Sequence, residues 1–131
     1  MSAVFERSSG GSARGAWMMA LLLSAACGEA TQGSVIGSCD TRARGDQALR
    51  GFCRTWSGEK TGDFEALCST NGGTWSSGAC SSSGSPGSCK TDQGLGLFLT
   101  YTYDAALFNA TTARTHCEAL PSCTLSCKFT P

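Results

Sequence analysis

The chain has few of the residues from which active sites are usually built. Its 131 residues include a single histidine, His116, and three prolines, and ten Lys+Arg are balanced by ten Asp+Glu. One histidine excludes a multi-histidine metal site and leaves acid–base chemistry without its commonest participant. A net charge of zero with no basic stripe leaves no electrostatic footprint for nucleic acid. No apolar run reaches the roughly 18 residues that a membrane-spanning helix needs. What the chain does have is 9 cysteines, 17 glycines and 32 serines and threonines in about one domain's length. No specific biochemical activity is written in that composition.

The N-terminus reads as an address. Residues 1–16 are polar, with Arg7 and Arg14, and the apolar stretch Trp17-Met18-Met19-Ala20-Leu21-Leu22-Leu23 follows. Ser24-Ala25-Ala26-Cys27 supplies the small residues at its exit. A basic region, a short apolar core and small residues before a break form the pattern of a secretory signal.

Leu23-Ser24-Ala25-Ala26-Cys27 resembles the lipobox of bacterial lipoprotein precursors. It departs from the preferred form, because the leucine stands four residues before the cysteine and Ser24 occupies the usual place. The resemblance implies cleavage before Cys27 and acylation of its thiol and α-amine. Gly28, standing where Asp would retain a lipoprotein at the inner membrane, points to the outer membrane or cell surface. At about 0.8 kcal/mol per buried CH₂, two or three acyl chains make a durable anchor. Cysteine parity agrees with this. With Cys27 acylated, eight cysteines remain: Cys39, Cys53, Cys68, Cys80, Cys89, Cys117, Cys123 and Cys127. An even number leaves no stray thiol in an exported chain.

The sequence after residue 36 repeats. Gly37-Ser38-Cys39-Asp40-Thr41 recurs as Gly87-Ser88-Cys89-Lys90-Thr91, and Cys68 and Cys80 have counterparts in Cys117 and Cys127. This organisation predicts a signal peptide over 1–26, a flexible tether over 27–36, one cysteine-rich unit over 37–80, a linker over 81–86 and a second unit over 87–131. In the first unit, Gly51 to Trp56 reads as a strand, Thr61 to Ser69 as a helix with Phe64, Leu67 and Cys68 at helical spacing, and Thr74-Trp75-Ser76 as a second strand. In the second, Leu97 to Tyr103 alternates as a half-buried strand does, and Thr111 to Leu120 places Ala113, Cys117 and Leu120 on one helix face. The expected fold class is small, disulfide-rich α+β, with two tandem strand–helix–strand units of about 45 residues. Gly72-Gly73-Thr74-Trp75 before Cys80 and the two Gly-Ser-Cys starts resemble short cysteine-rich repeats of bacterial lipoproteins. No activity comes with that resemblance.

Units so small bury too little surface to stand without staples. Eight cysteines admit about a hundred pairings. The repeat favours pairing within units, but Cys53 has no counterpart in the second unit and Cys123 none in the first. A bridge has moved, or Cys53 and Cys123 join the units.

Each candidate site has a plainer reading. His116, Cys117, Cys123 and Cys127 lack the tight spacing of zinc knuckles, so no metal or other cofactor is expected, and His116 reads as a surface residue beside a structural cysteine. Arg44-Gly45-Asp46 reads as a polar turn, and Asn109-Ala110-Thr111 as a helix cap rather than a glycosylation sequon. Asp40, Asp46, Asp63, Glu65, Asp92, Asp104 and Glu118 show no spacing that singles out a catalytic pair. Trp56, Trp75, Tyr101 and Tyr103 sit where a small core needs aromatics, and an exposed subset would suit a protein or glycan ligand. The sequence therefore points away from an enzyme and toward a lipid-anchored envelope protein with a structural or binding role. A secreted, unanchored cysteine-rich effector or inhibitor is the alternative, and a small hydrolase stands behind it.

Overall fold

A computed structural model of the chain describes residues 33–43, 49–124 and 126–131. The signal peptide, Cys27, most of the tether and the Arg44-Gly45-Asp46 turn lie outside the described residues.

The chain runs β1 (Val35–Asp40), β2 (Phe52–Gly58), α1 (Phe64–Thr70), β3 (Thr74–Ser76), β4 (Ser88–Gly94), β5 (Leu97–Tyr103), α2 (Ala110–Glu118), a 3₁₀ turn (Pro121–Thr124) and β6 (Cys127–Thr130). All six strands join one antiparallel sheet in the order β3-β1-β2-β5-β4-β6. It is a small disulfide-rich fold with more sheet than helix. Each half adds a strand to the expected strand–helix–strand order, opening with a hairpin before its helix, and the two halves form one sheet rather than separate units. The two halves share the sheet through β2 and β5, which pair from Phe52 opposite Tyr103 to Gly58 opposite Leu97.

Alternation along these strands sorts the residues onto two faces. Phe52, Arg54 and Trp56 of β2 lie on the same face as Leu97, Leu99, Tyr101 and Tyr103 of β5 and as Cys39 and Cys89 of the outer strands. Cys39 is bonded to Cys68 of α1, and Cys89 to Cys117 of α2, so both helices cover this face. Each helix packs on the outer strands of its own half, α1 on β1 and β3 and α2 on β4 and β6. Beneath them lie two apolar clusters. One gathers Cys39, Trp56, Cys68, Leu97 and Leu99, with Phe64 and Trp75 against them. The other gathers Phe52, Cys89, Tyr103, Ala113 and Cys117, with Phe108, Leu120 and Phe129 against them. Tyr101 touches both.

The helix ends follow from their caps. The Asp63 carboxylate accepts the Ala66 amide at 3.0 Å and starts α1. Asn109 caps α2 in a reciprocal box with Thr112. Leu67, expected on the inner face of α1, is instead 44% exposed, and Cys68 is the residue of that helix that is buried. Gly73 turns the chain after α1 directly against the Cys39–Cys68 bridge, where a Cβ would collide with the Cys39 sulfur. The β4–β5 turn is the strained place in the sheet. Both of its central residues, Leu95 (φ 55°) and Gly96 (φ 77°), have positive φ, as a type I′ turn requires. A leucine there costs about 1–2 kcal/mol, and its side chain is exposed.

The remaining bridges join Cys53 to Cys80 and Cys123 to Cys127. Neither links the two halves. Cys53 points to the face opposite the helices, so its bridge draws the segment after β3 across that face on the way to β4. The backbone N–H of Cys80 donates to Thr55 Oγ1 at 2.9 Å, and the Ser85 hydroxyl donates to the Tyr103 carbonyl at 2.7 Å. Covered on both faces, β2 is buried along nearly its whole length.

Candidate binding faces

On the helix face, Arg54 and Tyr101 stand opposite each other at the middle of the central strand pair. Arg54 is 9% exposed, and its guanidinium carbon lies 5.2 Å from the centre of the Trp56 ring. The Trp56 ring is stacked on Phe64 at 5.1 Å. The Arg54 Nε and Nη2 atoms are buried without a hydrogen-bond partner among the described residues. Burial pushes the guanidinium pKa down, and Tyr101 acts in the opposite sense. The Tyr101 hydroxyl is pushed up by burial and drawn down by Arg54. This is the one place in the described residues where a buried charge-bearing side chain leaves donors unpaired, and the cost of such donors is high.

A second cluster lies beside this pair and shares Tyr101 with it. His116, half-buried on α2, is ringed by Phe52, Tyr101, Tyr103 and Phe108 at centroid distances of 5.6, 6.3, 5.5 and 5.7 Å. Its Nδ1 shares a hydrogen bond of 2.9 Å with the Tyr103 hydroxyl. The sequence placed His116 on the surface. The aromatic residues of β2, β5 and the 104–109 turn cover part of it, and burial pushes its pKa below the ordinary 6.5.

The opposite face is floored by hydroxyls. On either side of the crossing segment lies an open cleft. One, of about 510 Å³, is lined by Ser38, Asp40, Arg42, Thr74, Ser76 and Ser81 among others. The other, of about 390 Å³, holds Thr55, Ser57, Ser88, Lys90, Thr100 and Thr102. In the first cleft Arg42 grips Asp40 in a two-pronged pair, with Nε 3.0 Å from Oδ1 and Nη2 2.6 Å from Oδ2. Arg42 holds the Asp40 carboxyl below its ordinary 3.8. Lys90 lies over the ring of Phe98 at 4.7 Å.

The sequence-proposed residues fall as follows. Cys117, Cys123 and Cys127 are in disulfides, and among the described residues no group of three His, Cys, Asp or Glu side chains could hold a metal ion. Among the carboxylates, Asp63 caps α1, while Asp92 and Asp104 accept backbone amides of Gly94 and Ala106 in their turns. Trp56 and Tyr103 are buried, whereas Trp75 and Tyr101 are half-buried. Arg54 is the residue that sequence reasoning passed over. Its signal was available: it stands two residues from both Phe52 and Trp56, in phase with the buried side of a strand. No protein-family model, curated protein or solved structure matches the chain.

Proposed function

We propose that this chain is an exported binding or structural module of the bacterial cell envelope, held at the outer membrane or cell surface by acyl chains on Cys27, and that it carries out no catalysis. The observation that supports this reading is the cysteine account. Four disulfides use eight of the nine cysteines, all of them beyond residue 38, and Cys27 is the one left over. Disulfides at this density belong to an oxidising compartment. A lone cysteine in an exported chain needs a use, and Cys27 stands where a lipobox places the acylated residue. Among the described residues no helix is long and apolar enough to cross a membrane.

Several polar groups of the described residues are engaged in local structure. Asp40 is held by Arg42, Asp63 and Asn109 cap helices, and His116 shares a hydrogen bond with Tyr103. The open clefts of the far face suit recognition.

Replacing Cys27 tests the anchor directly. The wild-type protein is expected in the detergent phase of a membrane extract, and Cys27→Ser in the soluble fraction with its disulfides intact. Wild-type protein in the aqueous phase would instead favour the secreted, unanchored reading.

A further inference from the structure

We propose that the Nε–Nη2 edge of Arg54 is the receptor for a carboxylate carried by a second molecule with an apolar body, bound on the helix face over the central strands. The argument begins with geometry. Nε–H and one Nη2–H of a guanidinium point the same way and match the two oxygens of a carboxylate. The chain already uses this edge once: the Nε and Nη2 atoms of Arg42 hold both oxygens of Asp40. In Arg54 the same two atoms are buried and have no partner among the described residues.

A buried cation with its fork unmade is unstable ground, and the missing group is an acceptor of opposite charge. Asp40, Asp63, Asp92 and Asp104 already hold Arg42, Ala66, Gly94 and Ala106, and no described carboxylate meets the Arg54 fork. A single fork with two donors fits a carboxylate, with its one charge and two oxygens, better than a phosphate, whose second charge and third oxygen need further donors. The surroundings indicate the rest of the ligand. Arg54 lies against the Trp56 ring, Trp56 is stacked on Phe64, and Tyr101 stands opposite, so the body beside the carboxylate meets ring surface, which suits an apolar or aromatic group. Neither atom is exposed to solvent, so the ligand reaches them only as the side chains over Arg54 move aside.

This inference deepens the binding reading and does not depend on the anchor at Cys27. Its test uses the oxidised, ¹⁵N-labelled protein with benzoate as the probe, benzyl alcohol as the neutral control and inorganic phosphate as the competing anion. Benzoate is expected to move the Arg54 Nε–Hε resonance saturably, and benzyl alcohol to leave it in place. Phosphate is expected to bind more weakly than benzoate. Arg54→Lys, which keeps the charge but loses the fork, should weaken benzoate binding about tenfold or more. Asp46→Asn should change neither the free resonance nor the benzoate affinity.

An unmoved Arg54 resonance, equal binding of phosphate, or full affinity in Arg54→Lys would overturn the proposal. So would an Asp46→Asn variant whose Arg54 resonance shifts before any benzoate is added, because the carboxylate would then be the chain's own. Loss of membrane attachment in Cys27→Ser leaves the benzoate shift intact, whereas an anchored protein without the shift loses the receptor alone.

Discussion

Replacing Cys39 and Cys68 together by alanine is expected to lower the unfolding free energy by about 3.5 kcal/mol. The bridge spans 29 residues, and closing a loop of that size in the unfolded chain is worth about that much in the chain-entropy account. Measured against a typical total of 5–15 kcal/mol, the loss leaves a marginal fold. The effect concentrates in α1. Cys68 is the buried residue of that seven-residue helix, and Leu67 beside it faces solvent. With the bridge gone, Phe64 on the Trp56 ring is the main hold that remains. Urea titration reads the total, and amide exchange in 64–70 should rise before exchange in β2 and β5. The equivalent change at Cys123 and Cys127, four residues apart, should cost only about 2 kcal/mol. Equal losses for the two pairs would contradict this account of what the bridges do.

Trp56→Ala is expected to cost about 3–5 kcal/mol, the range for emptying a large buried aromatic site. Trp56 is 3% exposed and has Phe64 stacked on one side, Trp75 at 6.0 Å and the Arg54 guanidinium against its ring. The variant therefore opens a cavity in the first cluster and also removes the ring beside a buried charge. Trp75→Ala, at a half-buried position on the edge strand β3, should cost clearly less. Thermal unfolding of the two variants side by side checks the ordering. A Trp75 variant as damaging as the Trp56 variant would place the centre of that cluster at the edge of the sheet.

The sequence was most readable where side-chain periodicity was strong. The span Leu97–Tyr103 stands as β5 with the expected bounds, because Leu97, Leu99, Tyr101 and Tyr103 alternate with Phe98, Thr100 and Thr102. Thr74–Ser76 likewise stands as β3, and Asn109 caps α2. The opening strands β1 and β4 were not legible. Their inward positions are held by Gly37 and Cys39 in one and by Cys89 and Thr91 in the other, small residues that leave no hydrophobic alternation although Cys39, Cys89 and Thr91 are fully buried. Without those strands each unit looked like strand–helix–strand.

The partner of Cys53 was hidden for a different reason. It depends on the path of the segment after β3 across the far face, a long-range feature that no local pattern encodes. Arg54 shows the third kind of failure. A charged residue inside an aromatic strand reads as an outward position until the register puts it between Cys39 and Tyr101. The rings around His116 were hidden likewise, because they come from β2, β5 and the turn before α2.

The most direct test of the account is the intact mass of the native protein extracted from membranes, taken with and without reduction and alkylation. The account predicts a mass above that of the Cys27–Pro131 polypeptide by two or three acyl chains. It also predicts that eight cysteines become alkylatable, and only after reduction. A mass that retains residues 1–26 would contradict the anchor, and thiols that react before reduction would contradict the oxidised, four-bridge fold.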